Sequence, residues 1–244
     1  MTSLVEARGI GIAARLSPTD LAIGRGEMVA VIGPNGGGKT SLLRSLARTE
    51  DALGAVTIDK IDVDRTAEAQ RRRLLAFLPA AREAYWPVAV TDYLKFGLGT
   101  PDAARIAELT DLLELEPLAA RPIDQLSTGE RARAMLGRAI AGRARLLLLD
   151  EPLSNLDPYW VLRTVEIARA EVVGNNSAAL VSVHDLGMVA RFDRVVLVSN
   201  GAVIADGAPA AVLESEAFGT AFRVERSSNG WAISLTSADP RSSL

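Results

Sequence analysis

Five consecutive apolar residues, Met28-Val-Ala-Val-Ile32, run directly into Gly33-Pro-Asn-Gly-Gly-Gly-Lys-Thr40. The apolar run has the length and β-branched content of a buried strand, and its abrupt end at glycine predicts a strand feeding a phosphate-binding loop. Gly33, Gly36, Gly37 and Gly38 allow successive backbone N–H groups to converge on an anion with no side chain in the way. A helix from Lys39 or Thr40 to about Ala47 then directs its positive end at the same point. Lys39 supplies a point charge, and Thr40 a hydroxyl suited to Mg²⁺, which keeps several waters beside one or two protein oxygens.

A phosphate loop of this kind needs a sheet behind it, and the remaining chain supplies one. Residues 146–149, 179–183 and 194–198 are short apolar runs with strand character, separated by helical patterns that include 130–141. Alternation of this sort implies an α/β fold with a mainly parallel sheet covered on both faces. Residues 4–23, broken by Gly9, Gly11 and Pro18, read as edge strands or hairpins, and 56–63 as one further strand opened by Gly54. Residues 79–145 read as an inserted helical subdomain, with one helix in 101–114 behind Asp102. After Phe222 the pattern weakens, and 234–244 reads as a loose, serine-rich tail.

Composition removes several classes of function. At 244 residues and 48% hydrophobic content, the chain can bury a substantial core. A formal charge of −3 offers no general attraction for nucleic acid or acidic lipid, so no nucleic-acid partner is expected. No run reaches the roughly eighteen apolar residues of a membrane span, so direct membrane insertion is not expected, and the first residues lack a signal-peptide pattern. With no cysteine and a single histidine, disulfides and a His-based zinc site are set aside.

Three further segments carry chemistry. Asp150 closes the apolar run 146–149, where a carboxylate costs desolvation unless something positive meets it; Mg²⁺ or its water is one partner, and a helix-opening pair with Glu151 is the other reading. His184, taken alone, reads as structural or exposed, but it directly follows the strand-like Leu180-Val-Ser-Val. Leu126-Ser-Thr-Gly-Glu130 lies just upstream of the acidic strand end.

In this order the four segments (33–40, 126–130, 146–152 and 181–185) resemble those of ABC-type ATPases over roughly residues 4–223, and Leu-Ser-x-Gly-Glu is peculiar to that family. The resemblance implies a P-loop NTPase of ABC type, with a mainly parallel core, an N-terminal antiparallel β subdomain and an inserted helical subdomain. Residues 1–225 would form the ATP-binding domain, with about 79–145 inserted, and 226–244 a short C-terminal appendage and tail. Gly33, Pro34, Asn35, Gly36, Gly37, Gly38, Lys39, Thr40 and Ser41 would bind ATP, with Thr40 and Asp150 holding Mg²⁺. Glu151 would be the general base, with His184 on the γ-phosphate and Lys39 beside it. Ser127 and Gly129 would close on ATP held by a second, facing ATP-binding subunit in a homodimer. Asp157, in Ser154-Asn-Leu-Asp157, would report on the facing site, or would be an ordinary helix cap before Pro158. Thr128 stands where the family usually has glycine.

The resemblance further implies a permease partner, an extracytoplasmic substrate-binding protein and a peripheral position on the cytoplasmic face of the inner membrane. Trp86-Pro-Val-Ala-Val and the 214–235 region resemble importers of ferric siderophores, haem and cobalamin. Zinc or manganese import and a weakly hydrolysing regulatory ATPase are the alternatives; DNA-associated members of the family usually carry a long coiled-coil insertion, whereas only ordinary subdomain length separates Thr40 from Leu126 here. Two departures stand out. Phe77-Leu-Pro-Ala80 has alanine where the family has a metal-contacting glutamine, with Glu83 the nearest downstream oxygen donor. No aromatic residue precedes Phe77, so Arg15 or Arg8 is the candidate to stack on adenine.

Overall fold

The computed structural model describes residues 3–80, 87–227 and 230–233. The chain begins with strands β1 (Val5–Ile12), β2 (Leu16–Ile23) and β3 (Met28–Ile32), then helix α1 (Lys39–Ala47). Strands β4 (Ala52–Ile58) and β5 (Ile61–Asp62), helix α2 (Glu68–Leu74) and strand β6 (Leu75–Leu78) follow. Three helices come next: α3 (Val90–Lys95), α4 (Ala103–Leu112) and α5 (Thr128–Ala141). The remainder is β7 (Leu146–Leu149), α6 (Pro158–Gly174), β8 (Ala178–Ser182), β9 (Arg194–Ser199), β10 (Ala202–Gly207), α7 (Pro209–Leu213), α8 (Glu216–Phe222), β11 (Val224–Ser227) and β12 (Gly230–Ile233).

The main sheet has the order β10-β9-β3-β8-β7-β6. Neighbours from β9 to β6 are parallel, and β10 returns antiparallel along β9. Every residue of β3, β7 and β8 is buried, which explains their unbroken apolar sequences: both faces of these strands are covered. Successive β3 residues serve opposite cores. Met28, Ala30 and Ile32 join the helices α3 to α6, whereas Val29 and Val31 join α1 and the second, antiparallel sheet β2-β1-β4-β5. The expected mainly parallel core and N-terminal antiparallel strands are therefore both present.

In the described residues 87–145 the regular structure is helical, and its apolar side merges with the main sheet. Leu94, Leu109, Leu113 and Met135 share one buried cluster with Leu147 and Leu149, each contributing on the order of 1.5–3 kcal/mol on full burial. Gly137 permits this approach, because a Cβ there would lie 2.6 Å from Leu94 Cδ2 and 2.7 Å from Leu113 Cδ1. Arg105, 2% exposed, fastens α4 to the rest: its guanidinium donates to Glu171 Oε1 (2.7 Å) on α6 and to Ile140 O (3.0 Å) on α5. Pairing is what makes such a buried charge tolerable.

Two local expectations change. Residues 56–63 are not one strand: Asp59 and Lys60, at φ 51° and 65°, turn the chain so that Ile58 pairs with Ile61. This left-handed pair makes a hairpin turn without glycine, which hides it from a sequence reading based on glycine. The weakening after Phe222 also conceals structure, since β11 and β12 pair antiparallel from Val224↔Ile233 to Ser227↔Gly230. Glu83, Trp86 and the expected tail 234–244 lie outside the described residues. Among the described residues no helix is long and apolar enough to cross a membrane.

Candidate functional site

Between β3 and α1 the loop geometry explains its glycines. Gly33 has φ 152°, and a Cβ there would come within 1.9 Å of Val198 O on β9, so no side chain fits. Gly38, at φ 112°, occupies the N-cap of α1 in a left-handed conformation. Lys39 lies across the loop, 6% exposed, its Nζ donating to Gly33 O (2.9 Å) and Pro34 O (3.2 Å). Burial lowers its pKa, while the Glu151 and Asp150 carboxylates work the other way. Asn35, Gly36, Gly37, Gly38, Lys39, Thr40 and Ser41 line a cleft of about 1280 Å³. Gly33 and Pro34 are not part of that lining and form the base of the loop.

Facing the loop across the cleft are Glu151, Ser154 and His184. His184 Nε2 is 2.7 Å from Glu151 Oε1, and Ser154 Oγ donates to Glu151 Oε2 at 3.3 Å. The His184 bond holds the Glu151 carboxyl below the usual range, against the opposing effect of partial burial. At neutral pH this group is a carboxylate able to accept a proton or orient a water. Its backbone adopts φ 51°, a left-handed conformation uncommon outside glycine.

Asp150 sits just behind, at the end of β7 and 1% exposed. Ser182 Oγ donates to its Oδ1 at 2.8 Å and accepts the Glu151 N–H at 2.6 Å. Asp150 Oδ2 is buried and has no hydrogen-bond partner among the described residues. An orphaned carboxylate oxygen beside a phosphate loop fits a cation or its water shell, and Thr40 on the cleft wall adds a hard oxygen donor. The alternative reading of Asp150 and Glu151 as a helix-opening pair does not hold, because the next helix, α6, starts at Pro158.

Ser127, Gly129 and Asp157 occupy a different place. Ser127 caps α5 in a reciprocal pair: its Oγ accepts the Glu130 N–H (3.3 Å) and Glu130 Oε2 accepts the Ser127 N–H (2.8 Å). Neither Ser127 nor Gly129 lines the cleft; the missing Cβ of Gly129 faces Asn155 O at 3.9 Å. Asp157 Oδ1 accepts the Trp160 N–H at 3.0 Å and Pro158 takes the first helical position, so the geometry found is that of a helix cap.

The two arginines of the first hairpin stand in different places. Arg15 lines the cleft, its Nη1 donating to Glu50 Oε2 at 3.0 Å, whereas Arg8 pairs with Glu6 away from it. The sequence reading missed Ser182 and the Glu50 anchor of Arg15. A lone hydroxyl in an apolar strand was the available signal for Ser182, since a buried polar group must find partners. Ala80 is half-buried just beyond β6 and offers the site no side-chain oxygen.

Comparison with known proteins places this arrangement among relatives. A sequence model of the family described as "ABC transporter" matches residues 16–154. A hemin import ATP-binding protein of Nitrobacter winogradskyi is 35% identical over 205 residues, covering 78% of this chain and 76% of that protein. A cobalamin import ATP-binding protein of Halobacterium salinarum is 33% identical over 229 residues; the match takes in 89% of this chain but only 56% of that longer protein. Among solved structures, a dimeric ATP-binding cassette in a post-hydrolysis state bound to ADP and Pi superposes with a TM-score of 0.74 at 21% identity, covering 84% of this chain and 98% of that one. That likeness is one of fold.

Proposed function

The chain belongs to the ABC transporter family as an ATP hydrolase coupled to transport, and we propose that it energises the import of a metal chelate such as ferric siderophore, haem or cobalamin. The observation that supports the ATPase part of this reading is where the candidate residues stand. Lys39, Thr40, Glu151 and His184 surround one cleft, while Ser127 and Gly129 stand at a helix N-terminus outside it. A site divided in this way is complete only when a second copy brings its Ser127, Gly129 and α5 N-terminus to the nucleotide.

In this reading the loop 33–41 holds the ATP phosphates, Lys39 and His184 contact the γ-phosphate, and Glu151 orients and deprotonates the attacking water. Thr40 and Asp150 would hold Mg²⁺, which would neutralise charge on the β- and γ-phosphates. Asp157, already fixed as a cap, would sense the facing copy through the loop 154–157. Loss of the γ-phosphate removes the contacts that favour the closed pair, so hydrolysis opens it.

Residues 1–225 constitute the ATP-binding unit in this proposal, with about 79–145 as the inserted subdomain and 226–244 as an appendage. A permease and an extracytoplasmic binding protein would select the cargo, and the chain would sit peripherally on the cytoplasmic face of the membrane. The hemin and cobalamin import relatives support that cargo class. A weakly hydrolysing regulatory role is favoured by Ala80 in place of a metal-contacting glutamine and by the absence of an aromatic residue before Phe77.

Isolation of the Glu151→Gln chain from its native membrane with ATP, followed by mass spectrometry of what accompanies it, tests the proposal. Recovery of a polytopic permease supports it. Recovery of soluble proteins or DNA alone, with nucleotide bound, refutes the transport reading.

A further inference from the structure

We propose that Ser182 is a positioning residue for hydrolysis, using one buried hydroxyl to set both the metal-facing carboxylate of Asp150 and the backbone of Glu151. The inference rests on the reading of those two residues given above and gives a role to Ser182, which lies within the fourth segment but has no role in the reading of that motif.

The position of Ser182 follows from the sheet. β8 lies between β3 and β7, and Ser182 is its last residue. It is in register with Val31, one residue from the end of the strand that feeds the phosphate loop, and its predecessor Val181 is in register with Leu149 on β7. One side chain at this point therefore reaches the residues that follow β7. At 1% exposure it has no access to bulk solvent, so its hydrogen bonds must be made within the protein.

A hydroxyl has one proton and two lone pairs, and the geometry uses both capacities. The proton goes to Asp150 Oδ1 at 2.8 Å; a lone pair receives the Glu151 N–H at 2.6 Å. The first bond fixes the rotation of the Asp150 carboxylate and leaves Oδ2, which has no partner among the described residues, for a cation or its water. The second anchors the amide of Glu151 in its left-handed conformation, from which its carboxylate reaches His184. Alanine at 182 would leave Asp150 Oδ1 and the Glu151 amide without this partner. Groups that orient a metal ligand commonly contribute about 10–100-fold to metal affinity or activity.

The test uses the full chain and a fluorescent ATP analogue, with affinity measured in EDTA and in saturating Mg²⁺ alongside the ATPase rate. For Ser182→Ala the expected affinity in EDTA stays within about twofold of the unaltered chain, while the tightening by Mg²⁺ shrinks at least about fivefold and kcat falls at least about tenfold. Ser182→Thr, which keeps the hydroxyl, should restore both to within about threefold. If the alanine variant does not fold, as judged by its thermal transition, Ser182→Cys replaces it: nearly equal in volume, poor as a donor, and expected to behave as described for alanine. Unchanged Mg²⁺ tightening and kcat in a folded variant overturn the inference, as does an equal loss of affinity with and without Mg²⁺, or a folded threonine variant as impaired as alanine. If the unaltered chain shows no Mg²⁺ effect and no hydrolysis, the underlying ATPase reading falls and this inference falls with it.

Discussion

His184 Nε2 lies 2.7 Å from Glu151 Oε1, joining the chain's only histidine to the carboxylate two residues beyond β7. The bond crosses from the end of β8 to the end of β7 and holds Glu151 on the cleft wall opposite Lys39. Glu151→Gln retains a side chain able to bond His184 but loses the base, so kcat should fall about 10²–10³-fold with ATP affinity retained. His184→Ala should lower kcat by about tenfold or more, again with affinity largely preserved. Steady-state kinetics with a parallel nucleotide titration checks both; hydrolysis by Glu151→Gln at the unaltered rate would remove Glu151 from the chemistry.

Arg15 and Arg8 provide an internal control for nucleobase contact. Arg15 reaches the cleft with its guanidinium tied to Glu50, and Arg8 does not. An exposed cation–π contact is worth about 0.5–1 kcal/mol, so Arg15→Ala should weaken ATP binding roughly two- to fivefold while Arg8→Ala leaves it unchanged. Titration of ATP and GTP against both variants measures this. Equal behaviour of the two variants would place the base elsewhere.

Ala80 predicts slack coupling to the metal. Ala80→Gln should raise ATP turnover in the presence of the permease, because the added amide oxygen gives Mg²⁺ a further protein-held contact. Turnover equal to that of the unaltered chain would show that the alanine is not what limits the rate.

The α5 cap gives a pH prediction of known sign. The Ser127 N–H bonded to the Glu130 carboxylate holds its folded-state pKa below the ordinary value of 4.5. The bond therefore stabilises the fold fully above about pH 4.5, and that stability is lost as pH falls through the lower folded-state value. Glu130 is half-buried, but its bond to Ser127 lies at an exposed, solvent-screened helix end, so Glu130→Ala should lower Tm by only about 1–2 °C at pH 7, with the gap closing toward pH 3. Thermal scans of both proteins across that range measure the difference; a gap that does not change with pH would rule out the carboxylate bond as its source.

Local chemistry makes the phosphate loop legible, because four glycines (Gly33, Gly36, Gly37 and Gly38) at left-handed or crowded positions leave a spacing that other residue types do not satisfy. The buried strands were equally clear, since β3, β7 and β8 are covered on both faces and their sequences are apolar throughout. The helical pattern starts α5 at Glu130, although Ser127-x-x-Glu130 is itself a capping signature that puts the first helical residue at Thr128. Other features depend on distant partners. The turn at Asp59 and Lys60 uses non-glycine residues, and Arg25 and Arg145, remote in sequence, both pair with Asp59. Ser182 likewise acquires its meaning only when β8 is laid beside β7. The helix-cap role of Asp157 was available from Pro158 alone, whereas any role toward a facing copy lies beyond one chain.

The proposed division of the site between two copies is tested most directly by sedimentation of the purified Glu151→Gln chain with and without Mg²⁺-ATP. The expected result is a monomer without nucleotide and a dimer with it, abolished by a bulky substitution at Gly129 that leaves single-chain ATP binding intact. A chain that binds ATP and remains monomeric at concentrations well above the nucleotide dissociation constant would contradict the proposal that Ser127 and Gly129 complete the site of a second copy.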